Sequence, residues 1–493
     1  MLRPGMGRRD RTAFAAPAVA GALAGALAVG AALRLPFLDH QSLWLDEVNT
    51  YSIVTRHSVA DVWTGVRATE ATPPLYYLVS WGWTQLFGAS TAMLRAPAAI
   101  EGLLCVPAAF LALRRVIGDA VALAAAWLVA TSPLLCFYSL DARAYSQLVL
   151  TSTLSLWALA LLLEEPRARR WAAWLLAAAA TVLTHYFGAF VVVAELAVIW
   201  HRLPDQRRRL AIGIGALALA GAPFVTLFIH QNGGQGVAGI GHTSVASRTE
   251  GLVRQFAMGP NVPSAALEGA GLALAVAGVA GGLVLLGQSK SRSGFAPLGW
   301  IVAVGLGVPL LLAATGVEDR FLTRNELGVW VSLAALVGLA LSRLRALPLV
   351  LYTALGAATV LWIQADWPFQ NVDWRGALAH LGASTSATPV VVYGGQGGPV
   401  VAHYLNRRAV PGALTTSAVW VLVSPARQGT RALAPVRDAP PPGVPGPRFA
   451  LTADVTYHGV RALRFAARPG APIDSHHLGF DPADGAPATL LGP

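Results

Sequence analysis

Residues 13–47 read AFAAPAVAGALAGALAVGAALRLPFLDHQSLWLDE. The opening run is apolar over about 20 residues, the helix length that crosses roughly 30 Å of hydrocarbon. Arg3, Arg8, Arg9 and Arg11 precede it. A basic start followed by an apolar run is the form of a secretory leader, but a leader's apolar core spans only about 7–15 residues. The run is therefore expected to remain as a first membrane-spanning helix. Beyond it lies Trp44-Leu45-Asp46-Glu47, two adjacent acids beside an indole.

Working outward, the same apolar texture recurs at roughly 92–113, 117–137, 146–163, 171–184, 187–200, 210–229, 264–287, 295–314, 325–342 and 347–364. With the first run, this gives about eleven spans. Composition agrees: 55% of the 493 residues are hydrophobic and 12% charged, against about 25% charged in soluble domains. The mean hydropathy is +0.55. The net charge of +11 does not point to nucleic acid, because its arginines sit in short connections between apolar blocks. Arg114/Arg115, Arg167/Arg169/Arg170, Arg202/Arg207/Arg208/Arg209, Lys290/Arg292 and Arg343/Arg345 fall in alternate connections. Under the positive-inside rule these are cytoplasmic together with the N-terminus. The chain is expected to be a multi-pass protein of the plasma membrane, with its C-terminal part extracytoplasmic. Cys105 and Cys136 both lie in apolar segments and suggest neither a disulfide framework nor a thiolate metal site.

The expected fold class is an all-α polytopic membrane unit over residues 1–364, with a small extracytoplasmic α/β domain over 365–493. The first outside loop, 35–91, contains Ser58-Val-Ala-Asp61, a helix start with a serine cap. Pro73-Pro74-Leu75-Tyr76-Tyr77 and Trp81-Gly-Trp83 follow, suiting a helix that lies in the membrane interface. After residue 365, Thr388–Tyr393 and Ala418–Val423 read as buried strands. Asp373-Trp374-Arg375 opens a helix, and Asp438–Pro447 is a proline-rich loop. Gly394-Gly-Gln-Gly-Gly398 matches no phosphate-binding motif and reads as a tight turn.

Four places carry candidate chemistry, all on the expected outside. Asp46 could accept a proton from a hydroxyl as that oxygen attacks carbon, with Glu47 raising its pKa or sharing a cation; the alternative is a solvated loop pair. Tyr138-Ser-Leu-Asp141-Ala-Arg143-Ala-Tyr145-Ser-Gln147 stands at a join between spans. An acid at membrane depth is a functional candidate, and a structural Asp141–Arg143 pair is the alternative. Thr184-His185-Tyr186-Phe187 interrupts two apolar blocks. Glu318-Asp319-Arg320 and Arg324 place arginine outside, against the inside bias. Arginine recognises phosphate, and a salt bridge to Glu318 or Asp319 is the alternative.

Taken together, WLDE (44–47), TPPLYY (72–77), DARAYSQ (141–147), THYFG (184–188) and RFLTR (320–324) resemble the GT-C glycosyltransferase superfamily. The likeness is to its bacterial dolichyl-phosphate-mannose–protein mannosyltransferase-like and ArnT-like members, and it covers about residues 30–375. DWRG (373–376) looks like the start of that family's C-terminal domain. The resemblance implies a helical bundle whose first loop forms interfacial helices over a cavity. It implies that Asp46 matches the catalytic acid, that Asp141 matches a second acidic motif, and that Arg324 matches an arginine usually followed by Tyr, where this chain has Asn325. Members often have His where Thr72 stands. The activity implied is sugar transfer, mannose or similar, from a polyprenyl-phosphate donor to a glycolipid, polysaccharide or protein acceptor, with inversion. In that reading Asp46, Glu47 and Asp141 serve catalysis. Arg143, Tyr145, His185, Tyr186, Arg320, Arg324, Trp44 and Tyr76 contact substrate or lipid phosphate. Oxygen ligands from Asp46 and Asp141 suit Mg²⁺ or Mn²⁺, though no motif demands a metal. A lipid-sugar flippase is the rival class; it predicts polar groups at the midplane and repeat symmetry, which the sequence lacks.

Overall fold

The computed structural model describes residues 16–232, 243–288, 292–317, 319–343, 346–385, 387–394, 396–428, 432–434, 440, 443–479 and 487–493. Arg3–Arg11, Lys290, Glu318, Arg345, Gly395 and most of the first half of the proline-rich loop lie outside these residues. The chain divides into two compact units. The first comprises Met1–Leu35, Ile53–Pro260 and Ala265–Val360; the second comprises Pro36–Ser52, Asn261–Ser264 and Leu361–Pro493.

The apolar blocks are helical, but the block at 117–137 forms two helices rather than one, and among the described residues fewer helices reach span length than the eleven expected. In chain order the helices are α1 (Ala16–Ala32), α2 (Leu45–Val54), α3 (Val59–Thr69), α4 (Leu75–Phe87), α5 (Thr91–Val116), α6 (Asp119–Thr131), α7 (Pro133–Ser139), α8 (Tyr145–Glu164), α9 (Ala168–Thr184), α10 (Gly188–Arg202), α11 (Arg207–Asn232), α12 (Val245–Met258), α13 (Ala265–Gln288), α14 (Arg292–Ala314), α15 (Trp330–Arg343), α16 (Leu347–Ala365), α17 (Trp374–Leu381) and α18 (Gly397–Leu405). Among the described residues, seven are long and apolar enough to cross a membrane, or eight when the pair α6–α7, bent by 54°, counts as one span. At 17 and 15 residues, α9 and α10 fall short of that length.

The core of the first unit is alanine-, leucine- and valine-rich packing among α5, α6, α8 and α15, with Ala122, Ala125, Leu148 and Ala335 fully enclosed. Small residues let the helices approach closely where water supplies no driving force. A Cβ on Gly282 would stand 2.4 Å from the Leu336 carbonyl, and one on Gly356 2.6 Å from that of Thr131. The amphipathic pieces of the first loop form as expected. Ser58 caps α3 by accepting the Asp61 N–H, and Pro74 precedes α4.

The bend between α6 and α7 has a local cause. Pro133 has no N–H to continue the ladder, which frees carbonyls at the end of α6. Arg34, completely buried, supplies donors in their place. Its guanidinium reaches the carbonyls of Ala130 at 2.7 Å and Val129 at 3.2 Å, that of Gly30 at 3.1 Å, and the Ser139 hydroxyl at 3.1 Å. Each orphaned buried polar group costs about 1–3 kcal/mol. Arg34→Ala is therefore expected to destabilise the detergent-solubilised protein by several such groups, read as a lowered melting temperature.

The second unit holds a five-stranded sheet of order β5-β6-β2-β1-β7. It is built from β1 (Val390–Tyr393), β2 (Ala413–Val423), β5 (Ala450–Tyr457), β6 (Val460–Asp474) and β7 (Thr489–Leu491), with β3 (Ala426–Gln428) and β4 (Ala432–Ala434) forming a separate hairpin. Only β1–β2 is parallel, with Val391 opposite Val421. Both expected strands are present, and β2 begins five residues earlier than the apolar run. Trp374, Val400, Trp420 and Leu422 fill one side of the sheet. The glycine turn leads from β1 into α18, where a Cβ on Gly397 would stand 2.4 Å from the Trp374 ring. The fold class expected from sequence, helical membrane-type segments with a small α/β domain, is the one observed.

Candidate functional site

In the first unit the charged residues of three helix joins come together. Asp141 and Arg143 lie between α7 and α8, both buried. Arg143 donates through both terminal nitrogens to the two Glu70 carboxylate oxygens, at 3.0 and 2.7 Å, a bidentate fork. The Tyr77 hydroxyl donates to the same carboxylate at 2.6 Å and lies 3.2 Å from the Thr72 hydroxyl. TPPLYY and DARAYSQ thus meet on Glu70, which the sequence reading passed over. Tyr76 is fully buried and packs edge-on to Tyr77, ring centroids 5.5 Å apart. Burial, with the charges of Glu101 and Asp141, holds its hydroxyl well above the ordinary tyrosine range.

A second tie joins DARAYSQ to THYFG. The Gln147 amide donates to Glu101 at 2.8 Å and accepts from the Thr184 hydroxyl at 3.1 Å. Next to Thr184, His185 is buried at the join between α9 and α10. Burial, then the guanidiniums of Arg324, Arg143 and Arg320, push its imidazole down to about 3. The ring is neutral at physiological pH and three cations act on it. Tyr145 lies 6.2 Å from the His185 ring. The Tyr186 hydroxyl, pushed up to about 12 by burial, donates to Gln231 at 2.7 Å. Gln231 in turn donates to the carbonyls of Val66 and Thr72.

The arginine segment before α15 is held by its neighbours. Asn325 donates to the Arg320 carbonyl at 2.7 Å, so this residue stabilises the turn locally. Arg248 pairs with Asp319 at 2.6 Å and donates to the Phe321 carbonyl. The Arg320 guanidinium lies 5.9 Å from the Phe228 ring. Arg320 is buried and Arg324 half-buried.

Trp44, Asp46 and Glu47 belong to the second unit. Asp46 is half-buried in the first turn of α2, and the Thr50 hydroxyl donates to its carbonyl at 3.0 Å. Glu47 is fully buried, and its carboxylate accepts the Trp44 N–H at 3.3 Å. This is the reciprocal half of a helix cap, made by an acid three positions into the helix. In the same unit, Asp373 accepts from the Ser42 hydroxyl at 2.8 Å and from the Gly376 N–H at 2.9 Å. Its other oxygen lies 2.9 Å from His458 Nδ1. Burial alone would raise the Asp373 carboxyl; the Gly376 N–H, His458 and Ser42 outweigh it and hold it below its ordinary 3.8.

The depressed value fixes a sign. Asp373 contributes stability that is present above the unfolded value of 3.8 and is lost as pH falls through the lower folded value. The melting-temperature gap between wild type and Asp373→Ala is expected to be full near pH 6 and to close on acidification below 3.8.

Among the described residues, no group of three or more His, Cys, Asp or Glu side chains could hold a metal ion.

Residues 71–228 match the family model for dolichyl-phosphate-mannose-protein mannosyltransferase. The matched region contains TPPLYY, DARAYSQ and THYFG, and the match bears out the resemblance drawn from those motifs. No curated protein matches the chain. Among solved structures, the chain is similar to ArnT from Cupriavidus metallidurans bound to undecaprenyl phosphate: 19% identity, 67% of this chain and 61% of that one, TM-score 0.47. It is also similar to the Archaeoglobus fulgidus oligosaccharyltransferase in complex with Zn and sulfate, at 16% identity, 69% and 53% coverage and TM-score 0.41. The Saccharomyces cerevisiae protein O-mannosyltransferase Pmt1–Pmt2 complex bound to the sugar donor matches at 17% identity, 44% and 34% coverage and TM-score 0.34. The chain thus spans less than two thirds of the length of each of these three structures.

Proposed function

We propose that this protein is a multi-pass membrane glycosyltransferase that moves a sugar from a polyprenyl-phosphate donor to an extracytoplasmic glycolipid, polysaccharide or protein acceptor. The observation carrying this reading is the set of three guanidiniums, Arg143, Arg320 and Arg324, acting on one neutral imidazole at joins between long apolar helices. Arg143 is engaged by the Glu70 carboxylate, and the planar, always-charged guanidinium is suited to the oxygens of a lipid-linked phosphate. A phosphate carried on an isoprenoid tail reaches such a place from the bilayer; a free nucleotide does not.

Asp46 acts as general base on the acceptor hydroxyl. The acceptor oxygen forms its bond to the anomeric carbon as the bond to the lipid-phosphate oxygen breaks. The proton goes to Asp46, and the phosphate leaves with the electron pair, stabilised by Arg324 with Arg320 and Arg143. Attack opposite the leaving group inverts the anomeric centre and requires no covalent intermediate. Glu47 supports the Asp46 turn through its cap, and Asp141 lies among the cations in the first unit. Tyr76, Tyr145, His185, Tyr186 and Trp44 are assigned to substrate contacts. In this reading the N-terminus is cytoplasmic.

The test is to reconstitute the purified protein in sealed lipid vesicles with radiolabelled mannosyl- or arabinosyl-undecaprenyl phosphate and bacterial envelope glycans. The expected result is label transferred with release of undecaprenyl phosphate. Movement of intact donor across vesicles without release would overturn the transferase reading in favour of a flippase.

A further inference from the structure

The segment that carries Asp46 is held by the C-terminal domain almost residue by residue. Arg375 pairs with Asp39 at 2.7 Å and also donates to the Asp39 carbonyl at 2.6 Å. His40 Nε2 lies 2.7 Å from the Gln364 carbonyl. The Gln41 amide donates to the Gln364 side chain at 3.0 Å and accepts the Asn371 N–H at 3.1 Å. The Ser42 hydroxyl donates to Asp373 at 2.8 Å and accepts the Arg375 N–H at 3.0 Å. The Leu43 N–H donates to the Tyr404 hydroxyl at 2.8 Å. Past Asp46, Val48 packs against the Trp374–Leu378 side of the sheet core, and the Tyr51 ring lies 4.5 Å from that of His403.

These contacts bracket Asp46 on both sides. They use the side chains of residues 39–42 and the backbone of Leu43, none of which the mechanism needs for chemistry. A loop approaching a helix start would ordinarily satisfy such groups with water. Here Asp373 serves two helices with one carboxylate oxygen: it caps α17 through the Gly376 N–H and anchors the approach to α2 through Ser42. His458 secures the other oxygen and is itself stacked on Trp367, rings 8° from parallel.

We propose that the C-terminal domain is a part of the catalytic apparatus whose task is to fix Asp46, with Asp373 as the principal positioning residue acting through Ser42. The inference rests on the reading of Asp46 as base. A base must stand within hydrogen-bond reach of the proton it takes, and a displacement of about 1 Å can cost about 100-fold in rate. Loss of the Ser42–Asp373 anchor lets the turn carrying Asp46 move while leaving the phosphate-binding arginines of the first unit untouched. Its signature is therefore a fall in kcat with the donor KM retained.

The experiment uses the full chain in nanodiscs with mannosyl-undecaprenyl phosphate as probe, comparing Asp373→Ala, Asp373→Asn, Ser42→Ala and Asp46→Asn. Asp373→Ala and Ser42→Ala are expected to lower kcat about 10- to 100-fold with donor KM within about two-fold. Asp373→Asn, whose amide oxygen still accepts from Ser42 and Gly376, is expected to restore most of the rate. Hydrogen exchange is read in parallel: the amides of residues 43–48 are expected to exchange faster in Asp373→Ala and to stay protected in Asp373→Asn. Unchanged exchange in Asp373→Ala overturns the proposal whatever the activity. So does unchanged kcat in Asp373→Ala and Ser42→Ala when Asp46→Asn is inactive. An active Asp46→Asn instead defeats the assignment of the base, and the exchange result still judges the anchor.

Discussion

Asp46→Asn is expected to lower sugar transfer by about 10²- to 10⁴-fold, the range ascribed to a positioned general base. The substitution is nearly isosteric. Glu47 accepts the Trp44 N–H at the start of α2. The substitution removes, among its effects on folding, the attraction of one negative charge to a helix N-terminus, about 0.3–1 kcal/mol. Glu47→Gln is the control, because it perturbs the cap and leaves the proposed base in place. Turnover of a labelled polyprenyl-phosphate sugar, with melting temperature recorded for each variant, separates the two. Retention of full activity by Asp46→Asn refutes its role.

Arg143→Met is expected to be strongly destabilising. The Arg143–Glu70 pair is buried, with side-chain exposures of 9% and 2%. Removing one partner of such a pair leaves an uncompensated charge and costs about 3–5 kcal/mol. The Tyr77 hydroxyl, which remains on Glu70, offsets part of this. The double variant Glu70→Met/Arg143→Met is expected to regain much of the loss, since apolar replacements of buried pairs are often neutral. If Arg143 also receives the lipid phosphate, the double variant recovers its melting temperature without recovering turnover. Recovery of both would assign Arg143 to structure alone.

The polar sites were legible in the sequence as interruptions of apolar runs. His185 and Arg320 stand out because water-seeking groups at such joins need a reason. Glu70 gave no comparable signal. It lies in a polar loop where acids are ordinary, and its meaning arises only when that loop meets the start of α8, 73 residues later. Glu101 was hidden differently: it sits inside an apolar block that reads as a span, and its partner Gln147 lies on another helix. Arg34 stands at the end of the first apolar run, and the sequence reading assigned it nothing. It is wholly buried, and its guanidinium reaches the carbonyls of Val129 and Ala130 at the end of α6, just before Pro133.

Asp373 shows the division within one side chain. Its cap on α17 was predictable, since an acid three residues before a free N–H makes that bond through local geometry. Its bond to Ser42 spans 331 residues, and no periodicity encodes it. The sequence by itself determined the helical membrane class, the helix starts and the residue types able to bind phosphate or move a proton. These follow from hydrophobic run length and from local backbone chemistry. Only the tertiary structure decided which charges neutralise which and that the segment carrying Asp46 is anchored on the C-terminal domain. Burial makes each polar group find a partner, and the partner is whatever the fold brings within about 3 Å.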